Sequence, residues 1–179
     1  MTIESAPEWN SIAGIHPDLQ ASKRFVYDPC KFTCSTAVAE DESAAYGAYF
    51  FELNGLDVRF RVAKITPTKT GQFVSLWKRI GNGPIRPYDI ADPLDFFIIS
   101  TRQNDQLGQF VFPTSILHDQ AILSVDGRGG KRGIRVYPPW DHPTSRRAQK
   151  TQRWQLKYFL EVPMKGGVDY ARAQSLYTF

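Results

Sequence analysis

The sequence predicts a mixed α/β domain built around one β-sheet. Three observations carry this. The dipeptide Asn54-Gly55 sits between two β-rich runs, the strongest short-range hairpin signal. Two further apolar runs, 94–100 and 108–112, are bounded by turn residues and are short enough to be strands. Helical spacing occurs near both ends, after His16 and from Thr144 to Phe159.

Taken in order, His16-Pro17-Asp18-Leu19 opens a helix, with proline in the first turn and an acid beside it. It runs to about Tyr27 and stops at Asp28-Pro29, because the residue before proline disfavours the helical region. Residues 30–43 read as loop and short extended pieces, ending in the acidic cluster Glu40-Asp41-Glu42-Ser43. Tyr46 to Leu53 is a strand, Asn54-Gly55 the turn, and Leu56 to Ile65 the returning strand. On that strand Val58, Phe60, Val62 and Lys64 share one face, while Arg59, Arg61 and Ala63 share the other. The arginine face is expected to be solvated or turned to phosphates. Lys64 ends the apolar face, so it must snorkel outward or meet a partner.

Thr66 to Gly71 is a loop. Gly71 to Arg79 is a short helix or a strand; Phe73, Leu76, Trp77 and Ile80 fit a helical face. Gly81-Asn82-Gly83-Pro84 is a turn. A buried strand over 94–100 turns at Asn104-Asp105 into a strand over 108–112, which Pro113 stops. Thr114 to Gln120 is a short helix. Leu123-Ser124-Val125 and Ile134-Arg135-Val136-Tyr137 flank the glycine-rich loop 127–133, and Pro138-Pro139-Trp140 closes the second of them. A helix follows from Thr144 to Phe159, and the tail from Pro163, with Gly166-Gly167, reads as loose. One domain over 1–179 is expected, with its core at about 16–162 and a tail over 163–179.

Composition excludes several classes. Apolar residues make up 42% and aromatic residues 13%, which argues against disorder. Met1 to Glu8 has no basic or apolar targeting pattern, and no apolar run approaches membrane-spanning length. A cytoplasmic protein is expected, without a membrane partner. The two cysteines, Cys30 and Cys34, lack the second pair or nearby histidine of a zinc site and read as buried thiols. His16, His118 and His142 each sit beside Pro or Asp and read as turn residues.

Charge is segregated. The chain carries 22 Lys or Arg and 18 Asp or Glu, a net +4. Yet Val58 to Tyr88 holds seven basic residues and no acid, and Gly127 to Leu160 holds nine against the single acid Asp141. Two cationic, aromatic-laced blocks suggest a surface that meets nucleic acid.

Particular motifs resemble the MepB family. They are Tyr46-Gly47-Ala48 with Leu53-Asn54-Gly55-Leu56, then 59–69, Gly71-Gln72-Phe73-Val74 and Leu76-Trp77-Lys78-Arg79. Further matches are 108–113, Gly129-Gly130-Lys131-Arg132, 134–140, 149–152 and Trp154-Gln155-Leu156. The resemblance covers roughly residues 20 to 162. It implies a restriction-endonuclease-like, PD-(D/E)XK architecture: a central mixed sheet flanked by helices. In such nucleases one strand carries an acid, and the next carries an acid and a lysine two residues apart, holding Mg²⁺. Here Lys64 takes the lysine position, but Val62 stands where the acid would be.

Three functions follow as expectations. The first is a nucleic-acid-binding protein, DNA being the expected form, on a nuclease-like scaffold with a degenerate active site. Lys64, Lys69, Gln72, Lys78, Arg79, Lys131, Arg132, Arg135, Lys150 and Gln152 would contact the nucleic acid. Trp140 or Trp154 could stack on an unpaired base, against the commoner use of tryptophan in a core. The alternative is an Mg²⁺-dependent nuclease using Glu42, Glu52, Asp57 and Lys64, with Glu40 also within reach. The ordinary roles of those acids are turns and caps. A third is a partner-binding module presenting Tyr137-Pro138-Pro139-Trp140.

Overall fold

The structure, a computed structural model, describes Trp9, residues 14–165 and residues 167–178. Met1 to Glu8, read for targeting, and Gly166 lie outside the described residues. In chain order the first elements are α1 (Pro17–Ser22), a π turn over Lys23–Tyr27, β1 (Val38–Ala39), β2 (Tyr49–Leu53) and β3 (Leu56–Val62). The middle holds β4 (Lys64–Thr66), β5 (Lys69–Ser75), β6 (Trp77–Arg79), β7 (Ile85–Pro87), β8 (Phe96–Gln103), β9 (Gln106–Pro113) and α2 (Thr114–Asp119). The last part holds β10 (Gly133–Val136), α3 (Arg146–Gln155), a 3₁₀ turn over Leu156–Tyr158, β11 (Phe159–Glu161) and α4 (Tyr170–Leu176).

The first helix starts as its sequence dictates. Pro17 occupies the first turn, and the His16 Nδ1 accepts a hydrogen bond from the Asp18 N–H. The hairpin is equally direct. Asn54 and Gly55 both take positive φ, 51° and 78°, as a type I′ turn requires, and Leu53 faces Leu56 across it.

Six strands form the central sheet in the order β1-β2-β3-β8-β9-β11. It is mixed: β3 and β8 run parallel, and every other pair is antiparallel. Its central strand is buried on both faces. Phe96 and Ile98 pack with Leu19, Tyr27, Phe51 and Phe60 under α1. Phe97 and Ile99 pack the other way, with Val74, Leu76, Phe112 and Val136. This double burial explains why the strand reads as one continuous apolar run.

A parallel pair needs a crossover. Here residues 63–95 supply it with strands rather than a helix. Strand β3 continues past Ala63 into β4, and a second sheet forms in the order β10-β5-β4. The helical option for Gly71 to Arg79 is therefore wrong. Val74 and Leu76 are buried at strand spacing, while Phe73 is half-buried and Ile80 exposed. Two adjacent strands, β5 and β6, joined at Leu76, imitate a period near 3.6. Leu123 to Val125 forms only isolated bridges.

The tail expectation is also corrected. Asp169 caps α4 by accepting from the Arg172 N–H, and Val168, Ala173 and Tyr177 are buried in the core beneath α1. The Tyr177 ring stands edge-on to Tyr27 with centroids 5.5 Å apart. The layers are thus α1 and α4, the central sheet, then the second sheet with α2 and α3. Among the described residues no helix is long and apolar enough to cross a membrane.

Candidate nucleic-acid interface

A cleft of about 710 Å³ lies where the β4–β5 hairpin, the loop before β10 and the start of α3 meet. Antiparallel pairing puts Gly133 opposite Ser75 and Val136 opposite Gln72, so the two cationic blocks become neighbours on one sheet. The hairpin contributes Lys69, the glycine-rich loop Lys131, β10 Arg135 and α3 Arg147. Among the described residues no Asp or Glu lines the cleft. Lys69, Lys131 and Arg147 are exposed. Thr68, Thr70, Ser145 and Thr151 add hydroxyls, and Trp154 lies in the wall.

The cleft is braced from beneath. Arg135 Nη1 donates to Thr66 Oγ1 at 2.9 Å, Gly71 O at 3.2 Å and Thr70 O at 3.3 Å, which pins the hairpin. Gln155 is buried and locks α3 to β10: its Oε1 accepts from the Tyr137 N–H at 2.9 Å and its Nε2 donates to Arg135 O at 3.0 Å. Ser145 caps α3, its hydroxyl accepting from the Ala148 N–H at 3.2 Å.

The structure sorts the residues named from the sequence. Lys69, Lys131 and Arg135 converge in the cleft, although Arg135 spends its guanidinium on the hairpin. Arg132 is exposed beside Lys131, and Lys150 is exposed on α3 outside the lining. Gln72 is corrected: it is 1% exposed and donates to Arg102 O at 3.3 Å. Gln152 is corrected as well, because its Nε2 donates to Asp141 O at 2.8 Å and Pro138 O at 3.1 Å and thereby holds the 137–141 corner. Arg147 and Gln155, which the sequence places only within the helix from Thr144 to Phe159, join the site. Their signal was position, at the start of α3 and on its inward face. Of the tryptophans, Trp140 is half-buried and packs edge-on to Phe159 with its Nε1 buried, which ties the corner to the core while Pro139 stays exposed. Trp154 packs on Phe112 at 5.2 Å while still reaching the cleft.

Lys78, Arg79 and the arginine face of β3 build a different place. A pocket of about 440 Å³ is lined by Glu40, Asp41, Glu42, Arg59, Arg61, Trp77, Lys78, Arg79, Tyr88, Asp92 and Pro93. The solvated arginine face is therefore a correction, because the crossover covers it: Arg61 is 1% exposed. One carboxylate serves both arginines. Arg61 Nη1 meets Glu40 Oε2 at 2.6 Å, and Arg59 Nη1 holds Glu40 Oε1. The Arg61 guanidinium also lies over the Phe97 ring at 5.3 Å. Lys78 pairs with Asp92, and Arg79 Nε meets Glu42 at 3.3 Å. Burial pushes the Tyr88 hydroxyl above its ordinary pKa, with Arg61 beside it pulling the other way.

The proposed catalytic four do not converge. Glu52 stands opposite Asp57 at the hairpin end of β3. Lys64 lies seven residues beyond Asp57, roughly 20 Å along the chain. It sits in the second sheet, over the Tyr46 ring at 4.7 Å. That ring is the partner the apolar face required. Glu42 faces Arg79. Among the described residues no three His, Cys, Asp or Glu side chains gather as a metal site.

A family model described as MepB-like matches residues 40–161, a span that contains both the cleft and the pocket. Among solved structures, one described as the crystal structure of MepB is similar, at 34% sequence identity over 72% of this chain and 86% of that chain, with a TM-score of 0.69. No curated protein matches the chain.

Proposed function

This chain belongs to the MepB-like family, and on that premise we propose that it is a nucleic-acid-binding protein whose cleft follows a phosphate backbone. One observation carries the reading: two cationic blocks, far apart in sequence, are joined by the β5–β10 ladder around a cleft whose lining contains no carboxylate. Lys69, Lys131 and Arg147 are free to meet phosphates, while the threonine and serine hydroxyls and the Trp154 ring serve sugars and bases. Arg135 and Gln155 keep the walls in place rather than touching the ligand. DNA is the form to test first.

The nuclease alternative loses support, because Glu52 and Asp57 pair at the hairpin end far from Lys64, and Glu40 and Glu42 are held in ion pairs. The direct test is fluorescence anisotropy with a labelled duplex and its separate strands over a salt series. Binding should weaken steeply as salt rises, and Lys131→Ala should weaken it uniformly across sequences. Lys64→Ala should leave it unchanged, since that lysine lies over Tyr46 and outside the cleft. Salt-independent binding, or none to either form, would overturn the reading.

A further inference from the structure

Resting on the nucleic-acid reading, we infer that the pocket formed by Glu40, Arg61, Trp77 and Tyr88 receives a single unpaired nucleobase, delivered by the strand that the cleft holds.

The charge pattern selects the ligand class. The pocket's four cations, Arg59, Arg61, Lys78 and Arg79, are matched by four carboxylates, Glu40, Asp41, Glu42 and Asp92. A bare phosphate entering there would meet those carboxylates in a partly enclosed space. A neutral heterocycle would not. Its edge alternates donors and acceptors, and the pocket offers both: guanidinium N–H groups, carboxylate oxygens and the Tyr88 hydroxyl. The volume of about 440 Å³ falls within the roughly 300–1,000 Å³ usual for small-molecule sites.

Arg61 is 1% exposed and lines the pocket, where it pairs with Glu40 and its Nη2 donates to the Tyr88 hydroxyl at 3.4 Å, so it fixes the polar groups that a base edge would meet. Beside it stands a stacking surface. Trp77 is half-buried, and the Arg79 guanidinium lies over its ring, 5.8 Å from the centroid. Arg79 is anchored by a 3.3 Å pair with Glu42 whose side chains are 38% and 47% exposed. Such a pair holds its partners weakly, so Arg79 can swing aside or close over a stacked base.

One backbone bond links the pocket's wall to the loop that borders the cleft. The Leu76 N–H donates to Arg132 O at 2.9 Å, which sets Trp77 next to the loop that carries Lys131. On the proposed path, a strand tracked by Lys131 would run from this loop to the pocket.

Two measurements on the full chain test this and separate it from the cleft. In the first, the uncharged nucleosides adenosine, guanosine, cytidine and thymidine are titrated while the Trp77 indole resonance is followed. At least one should saturate, with little salt dependence, and Trp77→Ala should weaken it at least tenfold. In the second, paired duplexes are compared with duplexes of equal length that carry one bulged nucleotide. The bulged form should bind at least tenfold tighter, and Trp77→Ala should reduce it to the paired level. Should Trp77→Ala fail to fold, saturating wild-type protein with the best-bound nucleoside should remove the bulge preference without any mutation. No nucleoside binding, with equal affinity for bulged and paired duplexes, would overturn the inference while leaving the cleft intact. Nucleoside binding without binding to any oligonucleotide would uphold the pocket and overturn the cleft.

Discussion

Arg61 shows how a residue's role escapes its local sequence. Strand alternation places Arg59 and Arg61 on the same side of β3, and nothing in the hairpin distinguishes them. The crossover covers one far more than the other: their side chains are 1% and 23% exposed for Arg61 and Arg59. Removing a partner from a buried pair leaves an uncompensated charge. Arg61→Ala should therefore destabilise the protein by about 3 kcal/mol, with Arg59→Ala nearer about 1 kcal/mol. Urea denaturation measures both, and equal effects would contradict the arrangement. Asp89 gives a pH-dependent counterpart. The Ser124 hydroxyl first, then the Ala91 and Gly127 N–H groups, bond its carboxylate and lower its pKa from 3.8 to about 2. A carboxylate with a depressed folded pKa stabilises above its unfolded value and loses that contribution as pH falls through the folded one. The gap in denaturation midpoint between wild type and Asp89→Asn should thus hold from neutrality to about pH 4, then close towards about pH 2. A gap that stays constant across that window would exclude this role.

At the scale of elements, legibility followed how local each signal was. Asn54-Gly55 specified its turn because both residues tolerate positive φ, and the His16-Pro17 start needed only its own side chain. The region from Gly71 to Arg79 stays open between helix and strand in the sequence, because two strands in different sheets together imitate a helical period. The C-terminal helix misled. Pro163 and the glycine pair suggested slack chain, whereas Asp169 starts α4 and Tyr177 closes the core against Tyr27. Tyr177 is 2% exposed and its hydroxyl lies 3.3 Å from that of Tyr27. Tyr177→Ala should destabilise the protein by about 3–5 kcal/mol, as large aromatic truncations in cores do. A loss below about 0.5 kcal/mol in denaturant titration would restore the loose tail.

At the scale of the whole molecule, the net charge of +4 says less than where the charges sit. The acids are not remote from the cations; many are spent on them, as Glu40 is on Arg59 and Arg61. Among the described residues, three exposed cations without an ion pair, Lys69, Lys131 and Arg147, meet in the cleft. If Lys69, Lys131 and Arg147 each neutralise one phosphate of duplex DNA, log affinity should fall with log salt at a slope of about −3, and Lys131→Ala should flatten it by about one unit. An unchanged slope in that variant would remove Lys131 from the interface. The sequence by itself determined the hairpin, the doubly buried central strand, the first helix and the clustering of basic residues, because each depends on neighbours in the chain. Only the tertiary structure decided which cations remain free. That outcome depends on a second sheet that brings the block of Lys131 beside that of Lys69, and on the chain after β1 that sets Glu40 on Arg61, and no residue's neighbours in sequence encode those meetings.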